Sequence, residues 1–258
     1  MENNEIDLMN DYDIFDWSGS RVYYDDNFKE FFYDSNTSLE INLKENKDID
    51  SLLLKKNIYD NEFSFEKLKE FRNLEKLDVE YESFFKYVNE YNFTPISYLE
   101  KLKYLKISGM NFDNLDGIEK LTNLRVLHLN WLPKLQKISD KIKNLENLER
   151  IYLSDLSNFS LGPISELKNL RALVLENIFF EKDLDFIGEL TSLECLIMDG
   201  CLRGDYDYEK DRILVSSGIK SYREVEDNGC IRFPKEIKHF KKLKTFFLNG
   251  DPFRYIPD

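Results

Sequence analysis

Residues 124–132 read Leu-Arg-Val-Leu-His-Leu-Asn-Trp-Leu, and their apolar positions follow the spacing L-x-x-L-x-L-x-x-L. The same spacing occurs seven more times in the 258 residues of the chain, in copies that begin at residues 49, 74, 102, 148, 170, 193 and 243. The last interval between neighbouring copies is 50 residues, and the others are 22 to 28. A pattern that returns in register over eight copies indicates a repeat architecture, in which each unit packs against its neighbours.

Each copy predicts one short β-strand. In the central L-x-L the two leucines point to the same side, because side chains alternate along a strand. One copy cannot bury these leucines alone, so neighbouring copies must stack and pair their strands in a parallel ladder. Eight strands about 4.8 Å apart give a ladder on the order of 35 Å long. An apolar residue three positions before six of the copies supports this register: Leu99, Leu121, Leu145, Leu167, Leu190 and Phe240.

The copies resemble leucine-rich repeats of the short bacterial type, with 22–28 residues, over residues 49–258. The resemblance implies an α/β solenoid with a curved parallel β-ladder on its concave side and short helices and irregular turns on its convex side. The commonest repeats carry Asn at the ninth position, and only Asn57 keeps it here. The other ninth positions hold Glu82, Met110, Leu132, Leu156, Ile178, Cys201 and Asp251. We therefore expect an apolar column there and other partners for the loop backbone.

The convex side is expected to be mixed. Residues 133–138 and 233–237 have the character of extended segments, whereas Phe84–Tyr91 has helical spacing.

The repeats need caps, because an open solenoid exposes its core at both ends. Residues 1–48 are predicted to be an acidic N-terminal capping region, followed by the repeat domain over 49–258. In the cap, the aromatic block Val22–Tyr33 predicts a helix and the alternating stretch Ser38–Leu43 predicts a strand. At the other end only Phe253, Tyr255 and Ile256 are available to close the core. This thin cap leaves room for a partner or for self-association.

The 50-residue step contains an insertion at about residues 203–229. Insertions in repeat arrays often contribute to binding. A long loop costs little free energy, however, so a surface loop without a binding role is an equal alternative. Residues 205–211 carry acids at alternate positions, as a calcium loop does. Lys210 and Ser216 occupy the positions where such a loop needs Gly and Glu, so a solvated acidic loop is favoured.

The composition argues against several classes of protein. The chain carries 36 Lys and Arg against 49 Asp and Glu, a net charge of −13, which disfavours nucleic-acid binding. No apolar run reaches the roughly 18 residues that span a membrane, and no secretory signal is readable. Three cysteines are too few for a disulfide scaffold, so we expect a cytoplasmic protein.

The sequence offers little for catalysis. It contains two histidines, His128 and His239, and the repeat register predicts that Cys195 and Cys201 point in opposite directions. Neither histidine is predicted to lie near a cysteine as an activating base. No glycine-rich phosphate loop or paired-carboxylate motif stands out. We therefore expect a protein that is not an enzyme and that needs no metal or cofactor.

The concave face, formed by the third, fifth, seventh and eighth positions of each copy, is predicted to be exposed. In its second half the fifth positions form an apolar stripe, Tyr152, Val174, Ile197 and Phe247, beside Glu176 and Asp199. Apolar clusters rimmed by charge are typical of protein interfaces. The predicted partner-binding residues are Tyr104, Val126, His128, Asn130, Trp131, Tyr152, Asp155, Val174, Glu176, Ile197, Asp199 and Phe247. The alternative is that the insertion folds over this stripe.

These features predict a protein-binding module, and the negative charge favours a basic partner. A small acidic protein with such a face resembles inhibitors of basic toxic enzymes, and the Asn-, Lys- and Ile-rich composition resembles that of AT-rich bacteria. A bacterial immunity-type inhibitor is therefore one hypothesis. Residues 116–124 also resemble the 22-residue repeats of phosphatase regulators, which favours a regulatory or scaffold subunit. A secreted effector is a third alternative.

Overall fold

A nine-stranded parallel sheet, whose strand order follows the chain, dominates the structure. The computed structural model describes residues 30–34, 49–56, 65–81, 91–156, 160–180, 184–203, 236–237 and 240–249. The strands of this sheet are β1 (Glu30–Asp34), β2 (Ser51–Lys56), β3 (Lys76–Tyr81), β4 (Tyr104–Ser108), β5 (Val126–Asn130), β6 (Arg150–Ser154), β7 (Ala172–Glu176), β9 (Cys195–Asp199) and β11 (Thr245–Asn249). A separate two-stranded sheet pairs β8 (Phe179–Phe180) with β10 (Leu202–Arg203).

The eight strands predicted from the L-x-L pattern are all present, and each pairs in register with the same positions of the next copy. Leu127, for example, lies between Leu105 of β4 and Ile151 of β6. Because the register never slips, the inward residues stack into columns that form one continuous apolar core. Leu127 and Leu129 are fully buried in it, as the pattern predicts.

The ninth strand, β1, corrects the prediction of a helix over Val22–Tyr33. Residues Glu30–Asp34 form a strand that pairs in parallel with β2, and the rest of the block lies outside the described residues. A short aromatic run fits both helical and strand spacing. Here the edge of β2 offers backbone hydrogen bonds that decide the outcome. The capping region thus contributes a strand to the sheet.

The convex side consists of short helices and turns, as expected. In the described residues these helices are of the 3₁₀ type, at Phe65–Glu70, Ile96–Tyr98, Ile118–Lys120, Asp140–Asn144, Gly162–Glu166 and Asp185–Glu189. Five of them end at a buried leucine whose N–H donates to a carbonyl within the helix, as Leu121 does to Ile118. Residues 133–138 contain a turn followed by an extended segment. In this segment Lys137 forms an isolated parallel β-bridge with Ser160.

The apolar ninth-position column is confirmed, since Met110, Leu132, Leu156, Ile178 and Cys201 are fully buried. A separate column of asparagines lies in the turns that precede the strands. An asparagine directly before the first position of three copies donates to a turn carbonyl of the preceding copy, at 2.8 Å in each case: Asn123 to Glu100, Asn147 to Thr122 and Asn169 to Glu146. Each of these bonds satisfies a carbonyl in the turn before the preceding strand.

Charged side chains at the second position form ion pairs between neighbouring copies. Lys103 Nζ lies 2.7 Å from Glu75 Oε2. Farther along, Glu194 pairs with Arg171 at 2.6 Å and with Lys244 at 2.9 Å. Glu194 thus links β7, β9 and β11, although the last of these follows the insertion.

Several predictions fall outside the described residues and stay predictions. They concern the strand at Ser38–Leu43, the acidic loop at 205–211, His239 and residues 253–256. Phe84–Tyr91 is described only at Tyr91, which bridges Phe112, and residues 233–237 only at Glu236 and Ile237.

Candidate protein-binding surface

The concave face is built by β2–β7, β9 and β11. The residues at the third, fifth and seventh positions of each copy lie on the side of these strands that faces away from the core. Ten of the twelve predicted binding residues keep solvent exposure on or beside this face. They are Tyr104, Val126, His128, Asn130, Trp131, Tyr152, Asp155, Glu176, Asp199 and Phe247. The other two, Val174 and Ile197, are buried.

The apolar stripe is continuous, but its exposure differs from the prediction. The strand register aligns Tyr152, Val174, Ile197 and Phe247 in one row. Val174 and Ile197 are each only 5% exposed, whereas Phe247 is 49% exposed. Short branched side chains in a row about 4.8 Å from their neighbours on both sides retain little free surface. Phe247 lies on the last strand of the described sheet and has a neighbouring strand on one side only.

Val174 and Ile197 nevertheless lie on the concave side, because the core cluster contains the residues on either side of them in sequence. Leu173, Leu175, Leu196 and Met198 are all fully buried in that cluster. The stripe is therefore a shallow apolar floor between the larger side chains of Tyr152 and Phe247.

The first half of the concave face also deviates from the predicted exposure. Leu53, Asp78 and Lys106, three fifth-position residues, are each less than 9% exposed. Lys106 Nζ lies 3.4 Å from Asp78 Oδ2, while Asp78 Oδ1 has no hydrogen-bond partner. Burial raises the pKa of Asp78, and the charge of Lys106 acts in the opposite direction. The charges of Asp78 and Lys106 therefore compensate each other within the face.

His128 lies between the two halves. In the register it is opposite Lys106 on one side and Tyr152 on the other, with its ring centroid 5.7 Å from that of Tyr152. Burial, and secondarily the charge of Lys106, lower the pKa of His128 to about 3. The imidazole is therefore neutral at physiological pH, and it packs as an aromatic surface that continues the stripe.

Two predicted residues next to His128 make local contacts. Asn130 Nδ2 donates to Ser108 Oγ at 3.2 Å, which links β5 to β4. The ring of Tyr104 lies under Lys76 Nζ at 5.7 Å from the ring centroid. Both contacts hold polar side chains in place on the face.

The second half carries three neighbouring carboxylates. Glu176 pairs in register with Asp199, and Asp155 follows β6 on the other side of Glu176. Asp155 Oδ1 accepts a hydrogen bond from Asn177 Nδ2 at 3.1 Å. Burial, then the charges of Asp199 and Asp155, raise the pKa of Glu176. Within the described part of the chain, no lysine or arginine forms an ion pair with any of the three.

The eighth position of five copies, the third to the seventh, adopts a left-handed backbone, a feature that sequence reasoning missed. φ is positive at Gly109, Trp131, Asp155, Asn177 and Gly200. The N–H groups of the first four, as in Trp131 to Ser154 and Asp155 to Glu176, donate to the next copy and extend the ladder. The signal was available, since Gly, Asn and Asp tolerate this conformation best. This turn sets the positions of Trp131 and Asp155 at the rim of the face.

Comparisons with known proteins give the fold. The structure of TLR13 in a complex with ssRNA13 superposes with a TM-score of 0.53 at 16% identity, over 81% of this chain and 26% of that one. Internalin C2 of Listeria monocytogenes gives 0.49 at 19% identity, over 78% and 81% of the two chains. The fold is that of a leucine-rich repeat solenoid.

The plant peptide hormone receptor RGFR1, in a complex with RGF2, gives a TM-score of 0.44 at 20% identity, over 79% of this chain and 33% of that one. No family model matches the sequence, and the comparison with curated proteins also found no match. This solenoid spans about a quarter of TLR13 and a third of RGFR1. The structural likeness therefore establishes the architecture, and the surface has to supply the argument for function.

The leucine-rich repeat register also places the two described cysteines as predicted. Cys195 is partly exposed on the concave face, and Cys201 is fully buried in the ninth-position column. Burial raises the pKa of the Cys201 thiol to about 12, so this thiol stays protonated. Among the described residues, no three His, Cys, Asp or Glu side chains converge as a metal site. No helix in that part of the chain is long and apolar enough to cross a membrane.

Proposed function

We propose that this solenoid is a non-catalytic binding module that recognises a protein partner through the second half of its concave face. The observation that carries the proposal is the juxtaposition of the apolar floor, Val174 and Ile197, with three carboxylates that no cation of the described chain neutralises. Tyr152 and the exposed ring of Phe247 flank the floor. A partner that covers apolar surface next to uncompensated charge gains free energy from burial of the apolar surface and from pairing of the charges.

The charge on this face selects a basic partner. Glu176 and Asp199 would accept a lysine or arginine of the partner as a charge-assisted hydrogen bond. The net charge of −13 acts in the same direction over longer distances, because it accelerates encounter with a basic protein and repels acidic ones. A basic toxic enzyme whose active site is occluded by this face is the partner that fits best, so the specific proposal is a cytoplasmic immunity-type inhibitor.

Affinity capture tests the proposal. The full-length protein, immobilised and exposed to lysate of its own source organism, is expected to retain a basic protein that mass spectrometry identifies. The double variant Glu176→Lys/Asp199→Lys is expected to lose it, because the variant replaces the attraction with like-charge repulsion. Asp116→Lys/Glu166→Lys is the matched control, since it makes the same charge change at exposed convex positions.

The outcomes separate the parts of the proposal. Equal capture by both variants would place the interface elsewhere, and an acidic partner would contradict the electrostatic argument. If the partner is basic, its expression alone should arrest growth, and co-expression with this protein should restore it. A captured enzyme that is not toxic and keeps its activity would instead favour the regulatory-subunit hypothesis. The prediction of self-association through residues 253–256 is checked separately by the solution mass of the purified protein.

A further inference from the structure

We draw no further inference here: the strongest candidate, the exposed side chains of Phe246 and Phe247 on opposite faces of β11, the last strand of the described sheet, carries nothing because nothing in the structure shows what covers them.

Discussion

At the scale of single residues, a left-handed eighth position determines how the chain leaves its strand in five of the copies. Gly200 has φ +59°, and a Cβ built at this residue would overlap Asn177 Oδ1. The left-handed backbone favours glycine at this position, and an added Cβ would also displace the Asn177 side chain.

Gly200→Ala is expected to lower the free energy of unfolding by about 1–3 kcal/mol, from backbone strain together with the clash. Urea unfolding of the full chain measures the change. Gly162→Ala is the matched control, because a Cβ there meets nothing within 4 Å and φ is not in the left-handed region. Equal stability of Gly200→Ala and the parent protein would show that the turn at β9 is not fixed as described.

Protonation of His128 is expected to make the stability of the protein depend on pH. Its folded-state pKa of about 3 lies below the ordinary value of 6.5, so between these pH values the unfolded chain binds a proton that the folded chain does not. The free energy of unfolding should therefore decrease as the pH falls below 6.5, by about 1 kcal/mol per pH unit.

His128→Phe keeps an aromatic ring beside Tyr152 and removes this titration. The free energy of unfolding of the variant minus that of the parent protein should be larger at pH 5 than at pH 7. Urea unfolding of both proteins at the two pH values measures this difference. A stability difference that does not change with pH would mean that His128 is protonated as readily in the folded chain as in the unfolded one.

At the scale of elements, adjacent residues of β6 report which side of the sheet is the core. Leu153 is 1% exposed and belongs to the core, whereas Tyr152 lies on the concave face and is partly exposed. Leu153→Ala should cost about 2–5 kcal/mol, because it opens a cavity between packed columns. Tyr152→Ala should cost about 1 kcal/mol, since it removes a partly exposed side chain and its ring contact with His128 but opens no cavity in the core. Thermal unfolding of both variants checks the order, and a reversed order would mean that the strand register is shifted by one residue.

The asparagine column that joins the convex turns provides a second test at this scale. Asn147→Ala removes the 2.8 Å hydrogen bond to the Thr122 carbonyl and should cost about 0.5–1 kcal/mol, because the site is exposed to water. Asn144→Ala, at the end of the preceding helix, is the control, since Asn144 makes no such bond. Chemical unfolding should rank the control closer to the parent protein. The opposite ranking would show that water replaces the Asn147 bond without loss.

At the scale of the whole molecule, Glu194 connects the last coil to the rest of the array across 50 residues of sequence. Its hydrogen bond with Arg171, followed by that with Lys244, lowers its pKa to about 2. A carboxylate with a lowered pKa stabilises the fold above its ordinary pKa, and this contribution is lost as the pH falls from about 4.5 towards 2.

Glu194→Gln should therefore reduce stability by about 1 kcal/mol at pH 7 and have little effect near pH 2. Urea unfolding at the two pH values provides the comparison. Glu189→Gln is a control of the same chemistry, because the Glu189 ion pair with Lys168 is 3.5 Å long and both side chains are more than half exposed. If the two variants behave alike, Glu194 does not anchor the last coil.

The sequence by itself determined the repeat, the eight strands and the side of the sheet that each leucine occupies. These follow from one local rule, the alternation of side chains along a strand, which the L-x-L pattern of Leu127 and Leu129 satisfies without reference to the rest of the chain. The apolar ninth-position column could be predicted for the same reason. The residues of the candidate binding face were identified in this way, as members of the opposite side.

Only the tertiary structure decided how much of that face is accessible and what each group meets there. Periodicity places Val174 and Ile197 on the concave side, but their burial depends on the neighbouring strands. The strand at Glu30–Asp34 forms because β2 offers it an edge, which no local pattern in the aromatic block specifies. The proximity of Glu176, Asp199 and Asp155, with no cation of the described residues paired to them, is likewise a property of three adjacent strands. Contacts between residues more than 20 positions apart fix these features, and a pattern read along one chain segment does not contain them.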